Sequence, residues 1–464
     1  EVKKSLSNDK IEKKIENYEK LATEIEFNLA DRKRPLFIEF TGLPKSGKTT
    51  VIRSLSLFLR RNNIHPHIVE ERASTCPILN KKIPEFNIWT GCMTLSNLLK
   101  CRYEKQYSVV ILDRGIFDSL IWINLLYKKG ELTKKDFQRI EKFLLIERWT
   151  KYIDLIICMY CEVKTALDRE YKDLLTLKEG SIMNATFLED FLNMVKECTK
   201  KYKNYFNKIK LIDTTETQPI YGVDKVTFYA LNSLKELSDE KIIVIPQDRY
   251  KKDLNIIGFE KGKNKFKILE RVLKECKSVQ RRSIAEEDEQ KLQIIVCSII
   301  KYKAKIALFT KYEIHSDKRF HGKNMIWLGG HLHESDIDDL KNINLQNSAK
   351  NCLIREIKEE IQIIHTLEPI FKGIVYDNTQ SRSLRHLGIV FQIELKEEND
   401  FNSLNSRFHP EIAGQSITTE FISLKKESFQ KNINMLEPWS IYILKELFKI
   451  DLSDHKKPKQ TKLF

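Results

Sequence analysis

The chain has 464 residues, 41% of them hydrophobic, with 80 Lys and Arg against 65 Asp and Glu, a formal charge of +15. That length is too great for one ordinary core, so two domains are expected, and the apolar content excludes a disordered chain. No apolar run approaches the roughly 20 residues that span a bilayer, so no membrane partner is expected, and the charge calls for anionic partners.

Residues 1–34 form the first segment. Ile11, Ile15, Tyr18, Leu21, Ile25 and Leu29 lie three or four apart, so an amphipathic helix is expected, packed on the next domain or on a partner. Glu1 rather than Met opens the chain, so sequence upstream of it is expected, and no signal-peptide pattern is present. Asp31-Arg32-Lys33-Arg34-Pro35 ends the helix.

Strands then alternate with helices over 35–238. Phe37–Thr41, His67–Glu70, Val109–Leu112, Leu155–Met159 and Lys210–Ile212 are buried strands, Thr50–Arg60 is a helix, and a helix near Asp224–Leu237 closes the unit. Such alternation implies an α/β fold with a parallel sheet covered on both faces. Between the first strand and the first helix stands Gly42-Leu43-Pro44-Lys45-Ser46-Gly47-Lys48-Thr49. Glycines at that spacing let the backbone curl so that several N–H groups meet one phosphate, and the following helix adds its dipole. Lys48 is placed to reach the β- and γ-phosphates of ATP and Thr49 to hold Mg²⁺. Gly42, Lys45, Ser46, Gly47 and Thr50 complete the expected nucleotide contacts. No guanine-reading N-K-x-D follows.

Two strand ends add chemistry. Asp113 and Arg114 follow Val109–Leu112, at the carboxyl end where open α/β sheets bind ligands. Glu70 and Glu71 end His67–Val69, and one could take a proton from a substrate hydroxyl. A helix N-cap for Asp113 and plain surface solvation for the glutamates are the bland alternatives. Cys158 and Cys161 form a C-x-x-C inside an apolar run and are expected as buried thiols. Nine scattered cysteines fit a reducing, cytoplasmic setting.

On these residues, 35–215 resembles the deoxynucleoside kinase and thymidylate kinase superfamily. The resemblance implies that Lys48 and Arg169 neutralise the transferring phosphates, Arg169 coming from a lid-like helix over Thr165–Leu175 that also carries Lys172. It further implies that Asp113 and Arg114 sit at the acceptor end and that Glu71 is the base. Trp89 is a candidate for stacking on a nucleobase or for the core. Thymidylate kinases usually carry an acid where this chain has Pro44, so a nucleoside or nucleoside monophosphate is the expected acceptor rather than thymidylate in particular.

From residue 239 to 452 the texture is α+β. Strands are expected at Ile242–Ile245, Leu292–Ile300, Ile306–Phe309, Phe371–Tyr376, Gly388–Ile393 and Glu420–Ile422, interrupted by one strong helix near Ser348–Ile361. On that helix Ala349, Leu353, Ile357 and Ile361 face the core, while Glu356, Glu359 and Glu360 share another face. Three like charges on one face suggest a divalent cation between them, with an ordinary exposed charged helix as the bland alternative, and Arg355 can fix one of them.

Arg355-Glu356-Ile357-Lys358-Glu359-Glu360 resembles the R-E-x-x-E-E core of a Nudix box, with Trp327-Leu328-Gly329-Gly330 before it as a strand and glycine turn. The resemblance implies that Gly330 offers a carbonyl to metal and that Glu356, Glu359 and Glu360 bind Mg²⁺, or Mn²⁺ in its place, and activate water. Some eleven residues are inserted between Gly330 and Arg355 relative to the usual box. Asp336 stands where the family has glutamate, and Gln362 replaces its closing glycine. His331 and His333 are expected in a loop, not as ligands. Residues 453–464 form a basic tail.

The sequence therefore points to an enzyme with ATP and Mg²⁺ as cofactors and nucleosides or nucleotides as substrates. A nucleotide sensor, whose altered box binds without turnover, is the alternative. Lys and Arg are dispersed among acids with no nucleic-acid motif, so nucleic acid is not an expected partner; self-association is left open.

Overall fold

The phosphate loop leaves a buried parallel strand and enters a helix. In the computed structural model β1 (Leu36–Gly42) is buried along its whole length, as a central strand covered on both faces must be. The chain divides into two compact units, 1–238 and 239–464. The structure describes residues 2–452 apart from 31, 33, 72, 74, 81–82, 105, 175–176, 179, 216–218, 313–322, 362–367, 380–382, 405–406, 411–415 and 431–432. The basic tail, Leu175, Gln362 and the side chain of Glu360 lie outside the described residues.

In the first unit α1 (Val2–Ala30) precedes β1, followed by α2 (Lys48–Arg61), β2 (Pro66–Val69), α3 (Pro84–Tyr103) and β3 (Val109–Asp113). Helices α4 (Ile116–Lys128), α5 (Lys134–Leu144) and α6 (Glu147–Thr150) lead to β4 (Ile153–Tyr160). Then come α7 (Val163–Leu174), α8 (Ala185–Lys201), β5 (Ile209–Asp213) and α9 (Pro219–Ser238). The sheet order is β2-β3-β1-β4-β5, every pairing parallel, with Ile38 opposite Ile111 on one side and Leu155 on the other. Two apolar layers cover it. Val51, Ile52, Leu55 and Leu59 of α2 join Ile25 and Leu29 of α1 and Leu231 of α9 on one face. Phe117, Leu120 and Ile121 of α4 join Phe191 and Val195 of α8 on the other. The fold is that of a P-loop kinase-like α/β domain.

The second unit runs β6 (Lys241–Pro246), α10 (Gln247–Asp253), β7 (Gly258–Lys261), α11 (Lys263–Cys276), β8 (Ser278–Arg281) and α12 (Arg282–Ala285). Next are β9 (Lys291–Tyr302), β10 (Lys305–Tyr312), β11 (Asn324–Met325), β12 (Leu328–His331) and α13 (Leu345–Glu360). It closes with β13 (Ile370–Tyr376), β14 (His386–Glu394), α14 (Glu398–Leu404), β15 (Arg407–Pro410), β16 (Ser416–Ser423), α15 (Lys426–Gln430) and α16 (Pro438–Phe448). The mixed sheet has β9 at its heart, parallel to β14 and antiparallel to β6, β10 and β12.

Strand β9 sorts its side chains by parity. Leu292, Ile294 and Val296 enter the core that also holds Leu353 and Ile357 of α13. Ile295, Cys297 and Ile299 enter the opposite core with Trp439 and Ile443 of α16. The sequence led us to expect one strong helix here; α11 and α16 are further full helices. Gly329 and Gly330 lie inside β12 rather than in a turn, and His331 lies on the same strand, buried, rather than in a loop.

Candidate active sites

The phosphate loop is held by close backbone packing. A Cβ on Gly42 (φ 118°) would stand 2.0 Å from the Met159 carbonyl oxygen, so only glycine lets β1 leave the sheet there. Gly47 (φ 91°) takes the left-handed turn into α2, and Lys45 (φ 59°) adds another. Lys48 points its Nζ back into the curl, donating to the Gly42 (3.1 Å) and Leu43 (2.8 Å) carbonyls. Burial, helped by the Arg114 guanidinium, lowers its pKa to about 8. The Ser46 hydroxyl oxygen is buried with no partner, a polar atom that a phosphate would satisfy. Thr49 and Thr50 are exposed on the first turn of α2.

Helix α7 braces the outside of this loop. Arg169 donates to the Lys45 carbonyl (2.9 Å) and to the Thr214 carbonyl (2.8 Å), while the Thr214 hydroxyl donates to Ser46 O (3.0 Å). The Lys45 ammonium lies 2.9 Å from Glu170 and 2.8 Å from Asp173. Lys172 is exposed one turn further on, and Trp89 is half-buried on α3.

At the ends of β2 and β3 the acids and the arginine meet. Arg114 (φ 64°) places Nε 2.8 Å from Glu71 and Nη1 3.0 Å from Asp118. Burial opposes its charge, but Asp118, Glu71 and Asp113 together hold the guanidinium above its usual pKa. Burial raises the Asp113 carboxyl, against the pull of Lys48 and Arg114. Glu70 is exposed just beyond β2.

Two residues here were not singled out in the sequence. Glu39, in mid-β1 and fully buried, accepts from the backbone N–H groups of Gly115 (2.9 Å), Phe117 (3.1 Å) and Asp118 (2.8 Å). It caps α4, and burial raises its pKa to about 8 against those three donors. Asp118 takes 2.5 Å hydrogen bonding from the Thr41 hydroxyl as well as the Arg114 contact. A lone Glu between Ile38 and Phe40 was the available signal for the first; Asp118 carried none.

In the second unit β12 and α13 build the other site. A Cβ on Gly330 would fall 2.3 Å from a Glu356 carboxylate oxygen, so glycine is required there to admit the acid, not to turn the chain. Glu356 is buried, Glu359 half-buried. Arg355 grips Asp336 through Nε (3.0 Å) and Nη2 (2.8 Å), and Nη2 also meets His331 O (2.9 Å). Its Nη1 lies 2.5 Å from Glu356 and 3.7 Å from Glu359. Burial opposes the charge, yet Glu356 and Asp336 keep Arg355 protonated well above its usual range. The extra residues between Gly330 and α13 thus still bring an acid onto the arginine. Ala349, Leu353, Ile357 and Ile361 are all buried beneath the acids. Carboxylate oxygens are the hard donors that Mg²⁺ or Mn²⁺ takes, and Glu356 and Glu359 are the acids of α13 among the described side chains that could supply them.

No family model matches the chain. It is 24% identical over 210 residues to Protein YmaB of Bacillus subtilis (strain 168), spanning 44% of this chain and 96% of that protein. Among solved structures, the candidate Nudix hydrolase Tm1382 matches over 45% of this chain and 99% of its own at 22% identity, TM-score 0.34. M. mycoides deoxyadenosine kinase with bound dATP matches over 42% of this chain and all of its own (100%) at 18% identity, TM-score 0.34. By its own strand order and phosphate loop, the class of the first unit is a kinase-like P-loop domain. The second unit resembles the Nudix architecture in its mixed sheet and carboxylate helix.

Proposed function

We propose that the chain is a bifunctional nucleotide enzyme. The first unit transfers a phosphoryl group from ATP to a nucleoside or nucleoside monophosphate, and the second hydrolyses a nucleoside polyphosphate or a related diphosphate. Convergence of Lys48, Asp113, Arg114 and Glu71 at one end of a parallel sheet supports the first half. Contact of Glu356 with Gly330 supports the second.

In the first reaction the loop amides and Lys48 bind the phosphates of ATP, and Arg169, fixed to the Lys45 carbonyl, keeps the loop in shape. Glu71 accepts the proton of the acceptor hydroxyl, with Arg114 holding its carboxylate in place. Deoxynucleosides are the first acceptors to try, since the kinase it is similar to has deoxyadenosine as its named substrate. In the second, Glu356 and Glu359, with Glu360 and the Gly330 carbonyl, would hold Mg²⁺ or Mn²⁺. A metal so held polarises the phosphoanhydride and lowers the pKa of its water.

A screen of nucleosides and nucleotides with ATP and Mg²⁺, read by chromatography, tests both halves. Lys48→Ala should abolish phosphoryl transfer and spare hydrolysis, and Glu360→Gln should do the reverse. The reading fails if both substitutions leave both activities intact. One contact favours a second reading, in which the second unit senses a nucleotide without turning it over: Arg355 already occupies the Glu356 carboxylate at 2.5 Å. Nucleotide binding by the full chain that Glu356→Gln weakens, with no phosphate or pyrophosphate released by the second unit, would establish it.

A further inference from the structure

The sheet of the second unit carries polar side chains on the face turned away from α13. Gly330, which faces Glu356, pairs with Val296, whereas His331 pairs with Ile295. Gln293, two residues from Ile295 and so on the same face, pairs with His386 of β14. His331, Gln293 and His386 therefore lie side by side across three strands, behind the carboxylate helix. Glu286, at the end of α12, closes the group: one donor atom each from Glu286, His331 and His386 lies within 4.8 Å of the others. Among the described residues this is the cluster with metal-ligand spacing.

We propose that Glu286, His331 and His386 bind a zinc-class divalent ion, at a site separate from the carboxylates of α13. Two imidazoles and one carboxylate suit a borderline transition metal rather than Mg²⁺, and three protein ligands leave a position for water.

The surroundings set up His331 as a ligand. Gln293 is fully buried and donates its Nε2 to Ala285 O (3.1 Å), which turns its Oε1 toward His331 Nε2 at 2.8 Å. An amide oxygen there requires the ring proton on Nε2, leaving the lone pair on the other nitrogen, the supporting contact that metal-bound histidines generally have. Arg282 approaches Glu286 at 3.7 Å but lies nearer Glu240, at 3.3 Å. Glu286 can therefore turn to a metal while Glu240 retains the arginine. The ion would tie α12 to β12 and β14.

The full chain, stripped with chelator and dialysed against Zn²⁺ with Mg²⁺ in large excess to fill the α13 carboxylates, should retain about one equivalent of zinc by atomic emission. Glu356→Gln should retain it too. His386→Ala and the milder Glu286→Gln should hold it at least about 10-fold more weakly. Zinc should raise the melting temperature of wild type and of Glu356→Gln but not of His386→Ala. Equal retention by wild type and Glu286→Gln, no retention by wild type, or loss on Glu356→Gln would each overturn the proposal. None of these readouts depends on either proposed enzymatic activity.

Discussion

Glu71 and Arg114 meet at 2.8 Å just past the ends of two neighbouring parallel strands, and Arg114 reaches in the other direction to Asp118 at 3.0 Å. Asp118 in turn accepts from Thr41, the penultimate residue of β1 before the phosphate loop. The chain of contacts thus runs from the proposed base to the loop that would grip the nucleotide. Its fixed point is Glu39, which nails the start of α4 to β1 through three backbone donors.

Glu71→Gln keeps the size of the side chain and a hydrogen-bond acceptor for Arg114 but removes the base. The turnover number should fall by about 10²–10⁴-fold, the usual range for a lost general base, while the Kd for ATP is unchanged. Single-turnover kinetics beside nucleotide titration would check this. An equal loss in ATP binding would make Glu71 a positioning residue instead.

Lys48 gives a pH signature. Its pKa of about 8 in the folded chain lies below the ordinary 10.5, so it is partly deprotonated at pH 8 before nucleotide arrives. Phosphates beside it favour the charged form, so binding should take up protons near pH 8, seen as a buffer-dependent heat in calorimetry. The uptake should vanish in Lys48→Met. Because the unfolded state keeps this proton to higher pH, stability should rise as pH goes from 8 toward 10.5, and Lys48→Met should lack that rise.

The phosphate loop, the alternation of strands and helices in the first unit and the shared face of the acids of α13 could be read from sequence because each is local: a glycine spacing, a change of period, an i, i+3, i+4 repeat. What was missed depends on distant contacts. Gly330 was expected in a glycine turn by resemblance, yet its freedom serves the close approach of Glu356 from a helix, 26 residues on. His331 was expected in a loop, and only the pairing of β12 with β9 buries it against Gln293. Helices α11 and α16 carry apolar repeats of their own, with Leu269, Val272 and Leu273 buried in the first and Ile443 and Leu444 in the second, and neither was among the helices expected.

Gly330→Ala is a sharp test of the carboxylate site, since the added carbon would stand 2.3 Å from Glu356. The acid must move, and displacing a ligand or its support generally costs about 10–100-fold in metal affinity or activity. Metal-dependent hydrolysis should fall by that much while phosphoryl transfer by the first unit is unchanged. Isothermal titration with Mn²⁺ would separate lost binding from lost turnover.

Arg355→Lys asks what the fork of the guanidinium contributes. Asp336 is almost wholly buried and takes two of its hydrogen bonds from Arg355, at 3.0 and 2.8 Å. A lysine keeps the charge but cannot span Asp336, Glu356 and the His331 carbonyl at once, so at least one buried acceptor loses its donor. Each such loss costs about 1–3 kcal/mol. Amide hydrogen exchange along α13 should accelerate accordingly, and exchange in α2 and α4 should not change. If α13 were equally protected in both proteins, Arg355 would not be what seats the carboxylate helix on its sheet.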